Sequence, residues 1–170
     1  KSPPALQATF LHGQFELKRG KQMQKKSFTV RPLTIADYDE LFALWNAVPE
    51  TKRALKSQGD SREGISRYLA RNPNTCFATC DEAGRIVGAI LAGHDGRRGI
   101  FHHLCVHPDF RRCGIARMLV SKAESALFAE GIRKIFLVAF SDNDGANGFW
   151  EAQGYALRTD LNYRNKLLEN

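Results

Sequence analysis

One long amphipathic stretch set between two apolar runs constrains this chain most. The runs are residues 100–106 and 135–140, and the stretch, residues 114–130, has apolar side chains at 115, 118, 119, 123, 126 and 127 before Gly131. That spacing is a helical period, and a glycine just past the last apolar position is a helix stop. Strand, helix and strand in this order make a crossover unit, whose neighbouring strands run parallel through a right-handed connection. Residues 135–140 show no alternation, which predicts a strand buried on both faces. Ligands of such sheets collect at the carboxyl ends of the strands. The candidate site therefore lies around Cys105, Val106 and His107 and around Phe140, Ser141 and Asp142.

Other elements flank this unit. Residues 28–32 alternate as a strand ended by Pro32. Ile35, Tyr38, Leu41, Phe42 and Trp45 recur at helical spacing, so residues 36–47 are a helix that Pro49 stops. Residues 48–59 show no period and are expected to form a flexible loop. Asp60-Ser61-Arg62-Glu63 is a capping-box pattern opening a second helix with Ile65, Tyr68 and Leu69 inward. Strands at 75–80 and 85–93 follow, with turns at residues 81–84 and at Asp95-Gly96. A short helix over 143–153, weakened by Gly145 and Gly148, precedes a last strand over 155–167. The order is mixed α/β.

A chain of 170 residues suits one compact domain, and 43% apolar with 25% charged residues is an ordinary globular composition. No stretch matches the roughly 18 uncharged apolar residues of a membrane helix. The net charge of +7 is unevenly placed: residues 1–26 hold six basic groups against the single acid Glu16. Only +2 remains on residues 27–170, which argues against a nucleic-acid groove on the domain itself. Residues 1–26 form a basic N-terminal arm, open to readings as a loose leader, an expression remnant, an arm docking on a partner or an organellar presequence. The four cysteines, Cys76, Cys80, Cys105 and Cys113, make no Cys-x-x-Cys pair, so no metal site is expected. Cys76 and Cys80 on one strand would stand about 13 Å apart, too far for a disulfide. Free thiols suit a reducing compartment, most simply the cytoplasm.

Between the expected strand at 100–106 and the long helix runs Asp109-Phe110-Arg111-Arg112-Cys113-Gly114-Ile115-Ala116-Arg117. A helix N-terminus presents unpaired N–H groups and a positive dipole end to an anion such as pyrophosphate. Gly114 and Ala116 keep the backbone bare, and Arg111, Arg112 and Arg117 add positive charge. Neither Gly-x-Gly-x-x-Gly nor Gly-Lys-Ser/Thr is present, so dinucleotide and P-loop readings fail. A solvated arginine cluster at a helix start is the other reading of these residues alone.

Residues 106–116, with Arg111, Gly114 and Ala116 in an Arg/Gln-x-x-Gly-x-Gly/Ala pattern, resemble the central motif of the GNAT N-acetyltransferases. Residues 143–155, ending Phe149-Trp150-Glu151-Ala152-Gln153-Gly154-Tyr155, resemble that superfamily's second motif, and residues 93–99 resemble the hairpin of an uncharacterised YpeA-like branch. The resemblance implies a mixed, mostly antiparallel sheet with a central, splayed parallel pair and flanking helices. It implies acetyl-CoA as cosubstrate, its pantetheine arm beside Leu104, Cys105 and Val106 and its pyrophosphate on the amides of Arg112, Cys113, Gly114, Ile115, Ala116 and Arg117. Arg111 belongs to the same site, Asn143 would touch the cofactor's amide end, and relatives that pair through C-terminal strands raise a homodimer.

The implied reaction is direct attack of a primary amine on the thioester in a ternary complex. A lysine-like amine has a pKa near 10.4, so a base must remove its proton. His102 matches a strand histidine of arylalkylamine acetyltransferases and is the expected base, a structural role being its alternative. Alternation would put His103 on the opposite face. The Val106 N–H is the implied oxyanion donor. Trp150 stands where many relatives have a tyrosine acid, and an indole donates no proton near neutral pH. Either Trp150 packs on the cofactor while water or Tyr155 protonates the thiolate, or the thiolate leaves unaided, or the protein is a catalytically weak acyl-CoA-binding regulatory module.

Overall fold

The computed structural model describes residues 27–55 and 58–168, so the basic arm lies outside the described residues. Strand β1 (Thr29–Pro32) leads into helix α1 (Tyr38–Ala47), which buries Leu41, Leu44 and Trp45. Next come α2 (Pro49–Ala54), α3 (Arg62–Arg71), β2 (Phe77–Cys80), β3 (Ile86–His94) and β4 (Gly99–Val106). Helix α4 (Ile115–Ala129), β5 (Ile135–Leu137) and α5 (Asp144–Ala152) complete the order. The sheet runs β1-β2-β3-β4-β5, antiparallel except for the parallel pair β4–β5. The crossover read from the sequence is therefore present.

Each face of the sheet carries its own core. On one, Leu41, Leu44, Trp45, Ile65 and Leu69 of α1 and α3 pack on Ala78, Ala89, Leu91 and Cys105. On the other, Ile115, Leu119, Val120, Ala123 and Leu127 of α4 pack on Phe77, Val87, Ile90 and Phe101. Close approach of α4 depends on Gly88, where an added Cβ would lie 2.6 Å from Ile115 Cγ2.

Four local expectations change. Residues 48–59 hold a helix, α2, because Pro49 occupies its first turn, where the missing N–H has no partner to lose. The cap of α3 is Ser61, whose Oγ accepts from Gly64 N at 3.1 Å, and Asp60 is released from that duty. Strand β5 is three residues long and half open, with Phe136 and Val138 exposed, since it pairs with β4 only at Gly99, Ile100 and Phe101. Residues 155–168 form no strand: the Arg158–Asp160 ion pair holds a bend, Leu157, Leu161, Tyr163 and Leu167 stay exposed, and so short a β5 offers little ladder to extend. The parallel pair thus stands at the end of the described sheet.

A bulge interrupts β4. Ala89 faces Cys105 and Leu91 faces His102, so His103 and Leu104 share the single partner Ile90. His103 takes up the extra residue in a left-handed conformation, φ 47°.

Candidate active site

Pairing sets the centre of the site. Beyond Phe101, β4 has no hydrogen-bonded partner on its β5 side among the described residues. The His107 amide donates to Val87 O at 2.9 Å across the other edge. Alternation along the strand then turns the Val106 amide away from β3 and into the gap. Leu104, Cys105 and Val106 border that gap.

The gap leads into the turn before α4. His107 Nδ1 accepts from Asp109 N at 3.3 Å, and the Phe110 ring stands 6.2 Å from Phe28 and 5.9 Å from His107. Arg111 is extended, Arg112 is left-handed (φ 64°) and Gly114 is left-handed again (φ 81°). Such alternation gathers successive N–H groups into an anion-binding concavity, and the first turn of α4 adds its own free amides. Nothing lies within 4 Å of a Cβ built on Gly114, so the amides open onto free space. Arg112, Cys113, Gly114 and Arg117 are exposed and Ala116 half-buried, while the Ile115 side chain anchors the turn in the core. The backbone here fits a diphosphate.

Helix α2 spans both lips of the gap. Glu50 meets the Arg111 guanidinium at 3.2 Å, while Arg53 forks onto Asp142 at 2.8 and 2.9 Å and lies 3.9 Å over the Phe140 ring. Pro49, Glu50, Arg53, Phe140, Asp142, Asn143 and Asp144 line a cavity of about 470 Å³. Asn143 Oδ1 caps α5 by accepting from Ala146 N at 3.0 Å. Sequence reasoning missed Glu50 and Arg53, since six residues are too few to show a helical period.

The Trp150 ring lies 6.1 Å from Phe101, 5.2 Å from Phe149 and 5.1 Å from Tyr155, in the α4-side core. The Tyr155 hydroxyl donates to Glu124 of α4 at 2.7 Å, and burial together with that carboxylate pushes its pKa up. Burial also pushes the Cys105 thiol up to about 12, leaving it inert. Cys113 is exposed, its Sγ 3.6 Å from Arg111 O.

His102 and His103 do not take opposite faces. The bulge turns both toward α1 and α3. His102 lies edge-to-face with Tyr68 at 5.9 Å, its ring partly open to solvent. Desolvation lowers its pKa most, His103 lowers it further, and Asp60 opposes. His103 packs on Trp45 at 4.8 Å, and its Nε2 lies 2.7 Å from Asp60 Oδ1. Asp60 also escaped the sequence reading. The available signal was Ser61, which can cap α3 alone and leaves the preceding acid unassigned.

Comparison with known proteins agrees with this geometry. Residues 38–155 match the Acetyltransferase (GNAT) family. An acetyltransferase of Sodalis glossinidius is 36% identical over 125 residues, 74% of this chain and 84% of the relative. One of Pectobacterium atrosepticum is 35% identical over 134 residues, 79% and 92% of the two chains. In fold, the chain resembles the PaiA N-acetyltransferase of Thermoplasma acidophilum, solved in complex with coenzyme A, with a TM-score of 0.67 at 17% identity over 78% of this chain and 91% of that one. The chain belongs to the GNAT acetyltransferase family and is an acetyl-CoA-dependent acetyltransferase.

Proposed function

We propose that this protein passes the acetyl group of acetyl-CoA to a primary amine, on a small molecule or a peptide, by direct attack in a ternary complex. One observation carries the reading: the unpaired edge of β4 runs straight into the bare amides at the start of α4. In this reading residues 27–170 are the catalytic domain. The amides of Arg112, Cys113, Gly114, Ile115, Ala116 and Arg117 hold the diphosphate, with Arg111 beside them. Leu104, Cys105 and Val106 line the pantetheine arm, and the Asn143 side-chain amide reaches its far end. The Val106 N–H donates to the oxyanion.

His102 takes the ammonium proton, directly or through water. Its lowered pKa supports the role, because the imidazole stays neutral and able to accept at neutral pH. Trp150 packs beside the cofactor. The Tyr155 hydroxyl is committed to Glu124, so water supplies the thiolate's proton. Thiolate is a fair leaving group in any case, a thiol pKa lying near 8.5.

Among the described residues no helix is long and apolar enough to cross a membrane. Four unpaired thiols support a cytoplasmic setting. The exposed apolar side chains of Leu157, Leu161, Tyr163 and Leu167 support a homodimer, which sedimentation of the full chain checks.

The test mixes protein, acetyl-CoA and a panel of primary amines and peptides, and reads thiol release and product mass. An amine carrying one added acetyl group is the expected product. Acetylation only on hydroxyl or thiol groups refutes the amine reading. Stabilisation by the cofactor with no thiol release from any mixture points instead to a binding module.

A further inference from the structure

Asp60 and His103 make a half-buried acid–base pair that the mechanism above does not use. Their side chains are only 16% and 14% exposed, and Nε2 and Oδ1 lie 2.7 Å apart. Three features place the pair deliberately. The bulge puts His103 in a left-handed conformation that a continuous strand would avoid, and such strain concentrates at functional positions. Trp45, itself fully buried, fixes the plane of the ring at 4.8 Å. Tyr38 Oη donates to the Asp60 carbonyl at 2.9 Å, tying the acid's backbone to α1. The pair lies three residues before Val106 on the strand that borders the gap, next to His102.

We propose that Asp60 and His103 form a dyad that stores the proton the acceptor amine loses, with Asp60 the positioning residue that orients the imidazole and balances its charge. The inference rests on amine acetylation as the reaction. With Nε2–H donating to Asp60, Nδ1 carries the free lone pair. The acceptor ammonium gives one proton to His102, which hands it, directly or through water, to His103 Nδ1, making an imidazolium beside the Asp60 carboxylate. The freed amine attacks the thioester carbonyl, so a C–N bond forms and the C–S bond breaks. The second proton of the nitrogen goes through water to the departing thiolate, and the stored one returns to solvent. One proton is released per acetyl group transferred, as the overall reaction requires. Among the described residues, the titratable and charged groups next to the pair are His102 of β4, Tyr38 of α1, and Tyr68 and Arg62 of α3, Arg62 lying 4.8 Å over the Tyr38 ring.

The test uses the full chain and the amine of the panel that wild type acetylates fastest. His103→Gln keeps an N–H able to reach Asp60 yet cannot hold a proton. It is expected to lower kcat about 100-fold, the low end for general acid–base catalysis, and to leave coenzyme A affinity unchanged. Asp60→Asn keeps an acceptor for Nε2–H and removes the charge, so the acid limb of the pH–rate profile should move to lower pH. Because Asp60 also raises the His102 pKa, the fall of the acid limb is read in both the wild-type and the His103→Gln background, and the dyad predicts a larger shift where His103 is present. A structural role predicts otherwise: His103→Gln near the wild-type rate, and an acid limb that Asp60→Asn moves equally with or without His103. Either result overturns the dyad. Should the Gln variant fail to fold, His103→Asn takes its place in both comparisons. A wild type that releases no thiol with any amine overturns the transfer reading, and this role with it.

Discussion

Replacing Gly114 by glutamate separates the stability of the anion-binding turn from its function. The backbone there has φ 81°, which costs a side-chain-bearing residue about 1–2 kcal/mol. No atom lies within 4 Å of the new Cβ, so no clash adds to that cost. For a domain of this size the thermal midpoint should then fall by about 2–8 °C, and the fold survives. Binding suffers far more. Two unit charges 4 Å apart repel by about 4 kcal/mol at the effective dielectric of a protein surface. Halving this for an exposed, salt-screened loop leaves about 2 kcal/mol per phosphate charge, or about 4 for a diphosphate. That is about a thousandfold in affinity. Calorimetric titration with coenzyme A, beside a thermal scan, measures both. Gly114→Ala is the control, since it carries the strain without the charge and should lose no more than about tenfold. A folded Gly114→Glu protein whose coenzyme A affinity stays within about threefold of wild type would place the diphosphate somewhere else.

Gly88→Ala drives a methyl to 2.6 Å from Ile115 Cγ2 and 3.3 Å from both Leu119 Cδ1 and Cys105 O, and should destabilise the fold by about 1–3 kcal/mol. An unchanged urea midpoint would show that α4 moves aside freely. Asp37 is forked by Arg31 at 2.8 Å, and that hydrogen bond is the main reason its carboxyl sits below the usual range. A depressed carboxyl contributes stability that is present above its unfolded pKa, near 3.9, and lost as pH falls through the native one. Asp37→Asn should therefore cost about 1 kcal/mol at pH 7 and progressively less in acid, and a gap that widens on acidification contradicts the sign. Trp150→Tyr keeps an aromatic ring against Phe101 and Phe149 and restores the phenol that many relatives carry at this position, so thiol release should hold or rise. A loss beyond tenfold would show that the indole itself seats the cofactor.

Much of the frame was legible because it depends on periods long enough to count. The α4 stripe from Ile115 to Leu127 and the glycine at 131 define the crossover, and with it the end of the sheet where the candidate site lies. Gly114 was legible as a residue that keeps the backbone bare ahead of a helix, while its left-handed conformation emerged only from the structure. Short elements escaped. In α2 the proline that opens the helix looks the same in sequence as one that closes its predecessor, and the sequence of the strand expected over 155–167 says nothing about whether a pairing partner exists.

The bulge in β4 is the more instructive case. Alternation assigned His102 and His103 to opposite faces, and it would be right if each residue of β4 met one residue of β3. Instead Ile90 meets two. An insertion of this kind belongs to a pair of strands and not to either alone, so no pattern within residues 99–106 records it. Its consequence is chemical: one extra residue turns a second imidazole onto the α1/α3 face, within reach of an acid that the helix cap released by using Ser61 instead. Each of those events is local and small. Together they put two histidines and a carboxylate on one face of β4, and counting along the chain could not have brought them there.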